Sequence, residues 1–218
     1  MKVIKLLLLC SAVFLSLLGC EENNTYKARL KDPQLFHNSM QQLSDVIVYD
    51  IFSPPVASRV YMYPTIAAYA IMQKQYPNKY EDMAGQLSDF KTIPEINDPN
   101  IHAELAAIHA FLKVGTALIF SEDKIIDYRN SLYASLEEDG LPSNVKEASL
   151  AYGDLIAAHI LAWADTDFYK QTRTYPKYTI QEGTAFWKPT PPDYMEGIEP
   201  HWNKIRTLVL DTADQFEP

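Results

Sequence analysis

Cysteine is almost missing from this chain. The 218 residues contain two, Cys10 and Cys20, and Cys10 lies inside an apolar N-terminal run. Cys20 therefore has no partner for a disulfide and no companion for a cysteine metal site. Glycine is sparse as well, seven against fourteen prolines, and there is neither a Gly-rich phosphate loop nor a nucleophile-elbow serine. Positive charge is short: 19 basic residues stand against 28 acidic ones, a net charge of −9, and the basic residues are scattered. That balance argues against nucleic acid as a partner and against docking on anionic lipid through charge. No apolar stretch approaches the roughly 20 residues that cross a bilayer as a helix. Strand-like alternation of apolar and polar residues is not evident either.

The longest apolar run, Leu6 to Leu18, follows Lys2 and Lys5 and is followed by Gly19-Cys20. A charged start, a short apolar segment and a small residue before the cleavage point make a secretory leader. Leu17-Leu18-Gly19-Cys20 matches the lipobox of bacterial lipoproteins. Residues 1–19 then form the signal peptide, and Cys20, the predicted lipidation site, becomes the acylated N-terminus. Two or more acyl chains hold a protein stably at a membrane. The expected location is the bacterial cell envelope, lipid-anchored at the outer membrane or on the periplasmic side. Without Lys2 and Lys5, 17 basic residues face 28 acidic ones, a net charge of −11, so the anchor and not charge supplies attachment. Residues 20–34 are polar and read as a tether, ahead of one domain over 35–218.

Apolar spacing predicts helices over 35–52, 56–75, 101–120, 122–138 and 143–165, with shorter ones over 79–90 and 200–214. Asp32-Pro33 supplies an N-cap and an N1 proline, Pro64 bends the second helix, and Ser121 caps the fourth. Residues 166–198 are rich in Tyr, Thr and Pro without helical period. The fold class is all-α: a bundle of five or six helices with a long Tyr/Pro-rich loop near the C-terminus. Residues 101–120 are apolar around most of the circumference, which predicts burial on several sides. In a half-domain some of that surface would stay uncovered and promote self-association.

No side chain is assigned a catalytic or metal-binding role. His102 and His109 are seven apart, unlike the i, i+4 spacing of helical zinc sites, and read as core or interface histidines. His159 reads as a helix-packing residue, His37 as partly exposed, and His201 as a contact to the preceding loop. The carboxylate pairs Asp45/Asp50, Glu122/Asp123, Glu137/Glu138 and Asp165/Asp167 read as caps or solvated faces, since adjacent helical positions diverge. Arg59, delivered by the stiff Ser53-Pro54-Pro55 turn, is expected to pair with Asp45 or Asp50.

Three segments carry a resemblance. They are Asp45 to Arg59 (DVIVYDIFSPPVASR), Ala117 to Asp123 (ALIFSED), and Trp187-Lys188-Pro189-Thr190-Pro191-Pro192 with Pro200-His201-Trp202. In this order behind a lipobox they resemble the N-terminal half of vanadium-dependent haloperoxidase-like lipoproteins, in the type 2 phosphatidic-acid phosphatase superfamily. The resemblance covers residues 35–218 and implies an all-α enzyme. There, lysine, arginine and serine side chains cradle an oxyanion, vanadate or phosphate, beside histidines that bind, attack or move protons. The family motifs Lys-x6-Arg-Pro, Pro-Ser-Gly-His and Ser-Arg-x5-His do not occur in this chain. The resemblance therefore implies a catalytic half beyond Pro218, an inactive chain when alone, and vanadate as cofactor only in a full-length relative. The expected partners are the membrane through the lipid, a missing C-terminal half, or a second copy. The alternative reading is a non-catalytic helical envelope lipoprotein that binds a partner or nutrient, its Tyr-rich loop stacking sugars or contacting protein.

Overall fold

The computed structural model describes residues 24–216; Cys20, the predicted lipidation site, and residues 1–19, read as a signal peptide, lie outside them. Among the described residues there are seven α-helices, one 3-10 turn and no strand beyond an isolated bridge between Ala84 and Leu87. The all-α class is as expected.

Helix α1 is Thr25–Lys31, within the stretch read as a polar tether. Tyr26 and Leu30, one turn apart, are both buried in the core. The Tyr26 amide donates to the Asp139 carbonyl at 3.1 Å, and Arg29 pairs with the Asp139 carboxylate at 2.7 Å. Two apolar side chains among polar ones are too few to show a period, but they suffice to dock one short helix.

Helix α2 is Pro33–Tyr49. Its start is as expected: the Asp32 carboxylate accepts from the Gln34 amide, with Pro33 in the first turn. Helix α3 is Pro54–Gln75 and contains Pro64. Residues 79–90 form turns where a short helix was expected.

Helix α4 is Ala103–Thr116, and every residue except Glu104 and Lys113 is buried. Helices α3 and the later α6 (Ser143–Ala164) pack on it most extensively, with α2 and α5 (Glu122–Glu138) alongside. The uncovered apolar surface expected on this helix is therefore absent; α4 is the central element of the bundle. Gly153 lets α6 approach closely, since a Cβ there would sit 2.8 Å from the Ala106 carbonyl oxygen.

Helix α4 stops four residues before the expected end. The Asp50 carboxylate, at the end of α2, accepts from the Phe120 and Ser121 amides at 2.9 and 3.0 Å and from the Ser121 hydroxyl. Ser121 thus precedes α5 without capping it by its own side chain. Burial works to raise the Asp50 pKa, but these bonds prevail and hold it below the usual carboxylate range.

Beyond α6 comes the short α7, Tyr169–Thr172, and then an irregular segment with a single 3-10 turn at Trp202–Lys204. The helix expected over 200–214 does not form. Its backbone is used in tertiary bonds instead: Arg206 N donates to the Asp167 carbonyl, and the Leu208 carbonyl accepts from Ser88 N.

Candidate functional site

Three places gather polar or aromatic chemistry. The first joins α3 to the start of the C-terminal segment. Asp167 is 2% exposed. Its Oδ2 accepts from Arg59 Nε at 2.6 Å and from the Tyr63 hydroxyl at 2.8 Å, and its Oδ1 accepts from Tyr169 N. Arg59 lies between the rings of Tyr63 and Tyr169, 5.0 and 4.6 Å from their centroids. Arg206 donates to the Tyr63 hydroxyl, the Trp163 carbonyl and the Thr166 hydroxyl. Burial, and then the Asp167 charge, push the Tyr63 pKa well up, so the phenol keeps its proton.

The expected partner of Arg59 is corrected here. Asp45 lies on the exposed face of α2 and accepts from Gln41, and Asp50 is taken by residues 120 and 121. Asp167 is 108 positions away in sequence, and no local spacing could have pointed to it.

The second cluster binds three helices. His109 on α4, 4% exposed, shares a short hydrogen bond with the Tyr133 hydroxyl of α5 through Nδ1. Its Nε2 lies 3.0 Å from Asp154 Oδ1 on α6. Lys113 Nζ sits 3.1 Å from the same oxygen. Burial lowers the His109 pKa to about 4 against the pull of Asp154, so the ring is neutral near pH 7. An ionised carboxylate only accepts, which assigns the proton to Nε2 and makes Nδ1 the acceptor for Tyr133. The histidine is a core residue, as expected. His102 points elsewhere. It precedes α4, and its Nδ1 lies 3.1 Å from Glu104 Oε2. Burial opposes ionisation of Glu104, yet bonds from His102 and Tyr76 lower its pKa to about 2. His37 is exposed, His159 meets the Lys91 carbonyl, and His201 meets the Pro176 carbonyl. No group of three metal-ligating side chains occurs among the described residues, and no helix there is long and apolar enough to cross a membrane.

Neither polar cluster fits vanadate or phosphate. Asp167 already occupies the space where Arg59 would grip an anion, and Asp154 lies against His109. A carboxylate at each centre repels an oxyanion.

The third place is an open groove of about 740 Å³ between the helix ends and the C-terminal segment. Phe52 and Phe120 stack on one side at 4.9 Å. Tyr178 and Trp187 meet edge to face at 5.5 Å on the other.

This helical arrangement is haloperoxidase-like. A solved structure of a bacterial vanadium-dependent iodoperoxidase is 45% identical across 85% of the chain, with a TM-score of 0.79. The chain spans 45% of the length of that structure. No family model matches the sequence, and no curated protein does.

Proposed function

We propose that this chain is the N-terminal helical part of a haloperoxidase- or phosphatase-like envelope lipoprotein of the type 2 phosphatidic-acid phosphatase superfamily. It serves as scaffold for an oxyanion site, vanadate or phosphate, that lies outside the chain. The observation that carries this reading is the 45% identity to the iodoperoxidase together with the share of that structure left uncovered. The chemistry of the chain's own residues agrees. Its two buried arginine and histidine clusters are each closed by an aspartate, so neither presents the converging donors that stabilise a charged transition state. The helices around α4 instead form a rigid support of the kind a precise site needs. Acylation at Cys20 holds the protein at the membrane.

The test is the gene itself. DNA after codon 218 is expected to encode Lys-x6-Arg-Pro, Pro-Ser-Gly-His and Ser-Arg-x5-His within roughly 250 codons, the scale of one further domain. An unrelated gene behind an intact terminator would sink the scaffold role. Purified residues 20–218 with vanadate, peroxide and iodide are expected to show no turnover above buffer. The anchor has its own check: mass spectrometry of the N-terminal peptide from the native host should find Cys20 diacylated, and Cys20→Ala should abolish that mass.

A further inference from the structure

The groove at the helix ends presents apolar surface that the described residues leave uncovered. Among the described residues five non-glycine ones have positive φ, and three of them, Ile51 (φ 55), Tyr194 (φ 47) and Glu199 (φ 50), line this one groove. A β-branched residue in the left-handed region is strained by its Cβ. At Ile51 this conformation closes α2: Ile51 N donates to the Val48 carbonyl at 3.1 Å and Phe52 N to the Ile47 carbonyl at 3.2 Å, the bond pair of a left-handed helix C-cap. Ile51 is 89% exposed and Phe120 77%, so the ends of α2 and α4 present apolar side chains to water. Trp187 and Ile198 on the opposite wall are about half exposed. The charged groups nearby are matched within the segment: Arg173 pairs with Glu199, and Lys177 with Glu196. The groove therefore offers a partner aromatic and aliphatic surface with little uncompensated charge. Its tryptophan and tyrosines are the residue types that dominate binding energy at interfaces.

We infer that this groove is the seat for an apolar face of the helical portion that the haloperoxidase fold carries outside the region this chain matches. The inference rests on the reading under Proposed function. The occupant follows from three observations: the matched iodoperoxidase has more than half its length unaccounted for by this chain, the groove's ions are already paired, and Ile51 and Phe120 present their side chains to water. Contact there would cover Ile51, Phe120 and Trp187 together.

A chimera tests it, joining residues 21–218, which contain no cysteine, to the iodoperoxidase stretch that the match leaves uncovered. Phe120→Cys reports the groove, and Leu155→Cys reports an exposed position on α6 away from it. Maleimide is expected to label both rapidly in residues 21–218 alone. In the chimera, labelling at position 120 should slow by about tenfold or more, as closure of a local site demands, while position 155 stays unchanged. Equal reactivity at 120 in both proteins would overturn the docking assignment. So would labelling lost through a second copy of the chain, which sedimentation of residues 21–218 reveals as a dimer that protects 120. Vanadate-dependent iodide oxidation by the chimera reads the scaffold role separately. An inactive chimera with a protected position 120 keeps the dock and removes the scaffold; an active one with an open position 120 does the reverse.

A chimera that aggregates leaves a second measurement on the chain alone. Ile51→Asn suits the left-handed backbone better. It should melt at or above the parent temperature, because Ile51 contributes little to this chain's own core. A drop of more than about 5 °C, the shift expected from losing a real internal contact in a domain of this size, would show that Ile51 serves this chain's own fold and would overturn the inference.

Discussion

The helical body and the C-terminal segment solve the same problem in opposite ways. From α1 to α6, apolar side chains point inward around α4, and buried polar groups such as His109 and Ser149 are bonded across helices. From about Phe168 onward the chain has almost no regular structure. It is held by single anchors, Arg206 at Tyr63 and Trp163, Tyr178 at the Trp187 carbonyl, His201 at the Pro176 carbonyl. Its large aromatics stand largely in water. A body with a packed core can keep its shape alone. A segment held by a few anchors keeps its shape only while those anchors hold, and it gains most from a surface laid over it.

Trp163 and Trp187, on either side of that divide, give the sharpest contrast. Trp163 is buried, edge to face with Tyr63 and Phe90, and donates to the Ser88 carbonyl. Trp163→Ala should cost about 4 kcal/mol in urea unfolding. A loss under about 1 kcal/mol would mean the body tolerates cavities as the segment does.

The seam between the regions comes next. Asp167→Ala removes the carboxylate paired with Arg59 and leaves that buried cation uncompensated, a loss of about 3–4 kcal/mol. Because Tyr169 N and Tyr63 lose their acceptor as well, limited proteolysis should cut after residue 168 much faster while the body persists. Uniform loss of the whole chain would instead show that body and segment unfold as one unit.

Acid should loosen the body before the segment. The His109 pKa lies near 4 in the fold, below the ordinary 6.5, so the unfolded chain takes up the proton first. Stability is then complete above about pH 6.5 and falls as pH drops toward 4, by up to about 3 kcal/mol. Glu104, lowered to about 2, adds a second loss as pH falls below about 4.5. Urea midpoints at pH 7, 5.5 and 4 measure this, and His109→Gln should flatten the upper window. An unchanged slope in that variant would remove His109 as the cause.

The smallest effect belongs to the exposed wall. Trp187→Ala should change stability of the chain by less than about 1 kcal/mol, as surface substitutions do. A larger loss would place Trp187 in the chain's own core and erase the contrast between the two regions.

Local order in residues 32–75 and 103–165 was legible because helix signals are local, whereas the helix expected over 79–90 is replaced by turns. Asp32-Pro33 marks a start, Gly140-Leu141-Pro142 a stop, and the helices expected over 122–138 and 143–165 recur as Glu122–Glu138 and Ser143–Ala164. The same signals failed where a short apolar set met a specific partner. Tyr26 and Leu30 show no period by themselves, and only the Asp139 carbonyl and the core make them a helix. Residues 200–214 have helical spacing, yet Arg206 and Leu208 bond across to Asp167 and Ser88, and those long-range bonds outweigh a marginal helix. The α6 residues Ala151, Leu155, Ala158 and Ala162 share the apolar spacing but lie outward, because Gly153 turns the opposite side of that helix onto α4.

By itself the sequence determined the all-α class, the order of the main helices, and the scarcity of metal-ligating and phosphate-binding patterns. Each of these depends on neighbours in the chain, so spacing and composition are enough. Only the tertiary structure decided that Arg59 belongs to Asp167, that His109 is held neutral between Tyr133 and Asp154, and that Ile51 shares a groove with Tyr178 and Trp187, more than 120 residues further along. Such pairings are set by which helices meet and at what angle, and a burial or hydrogen-bond gain across that distance leaves no periodic trace in one sequence.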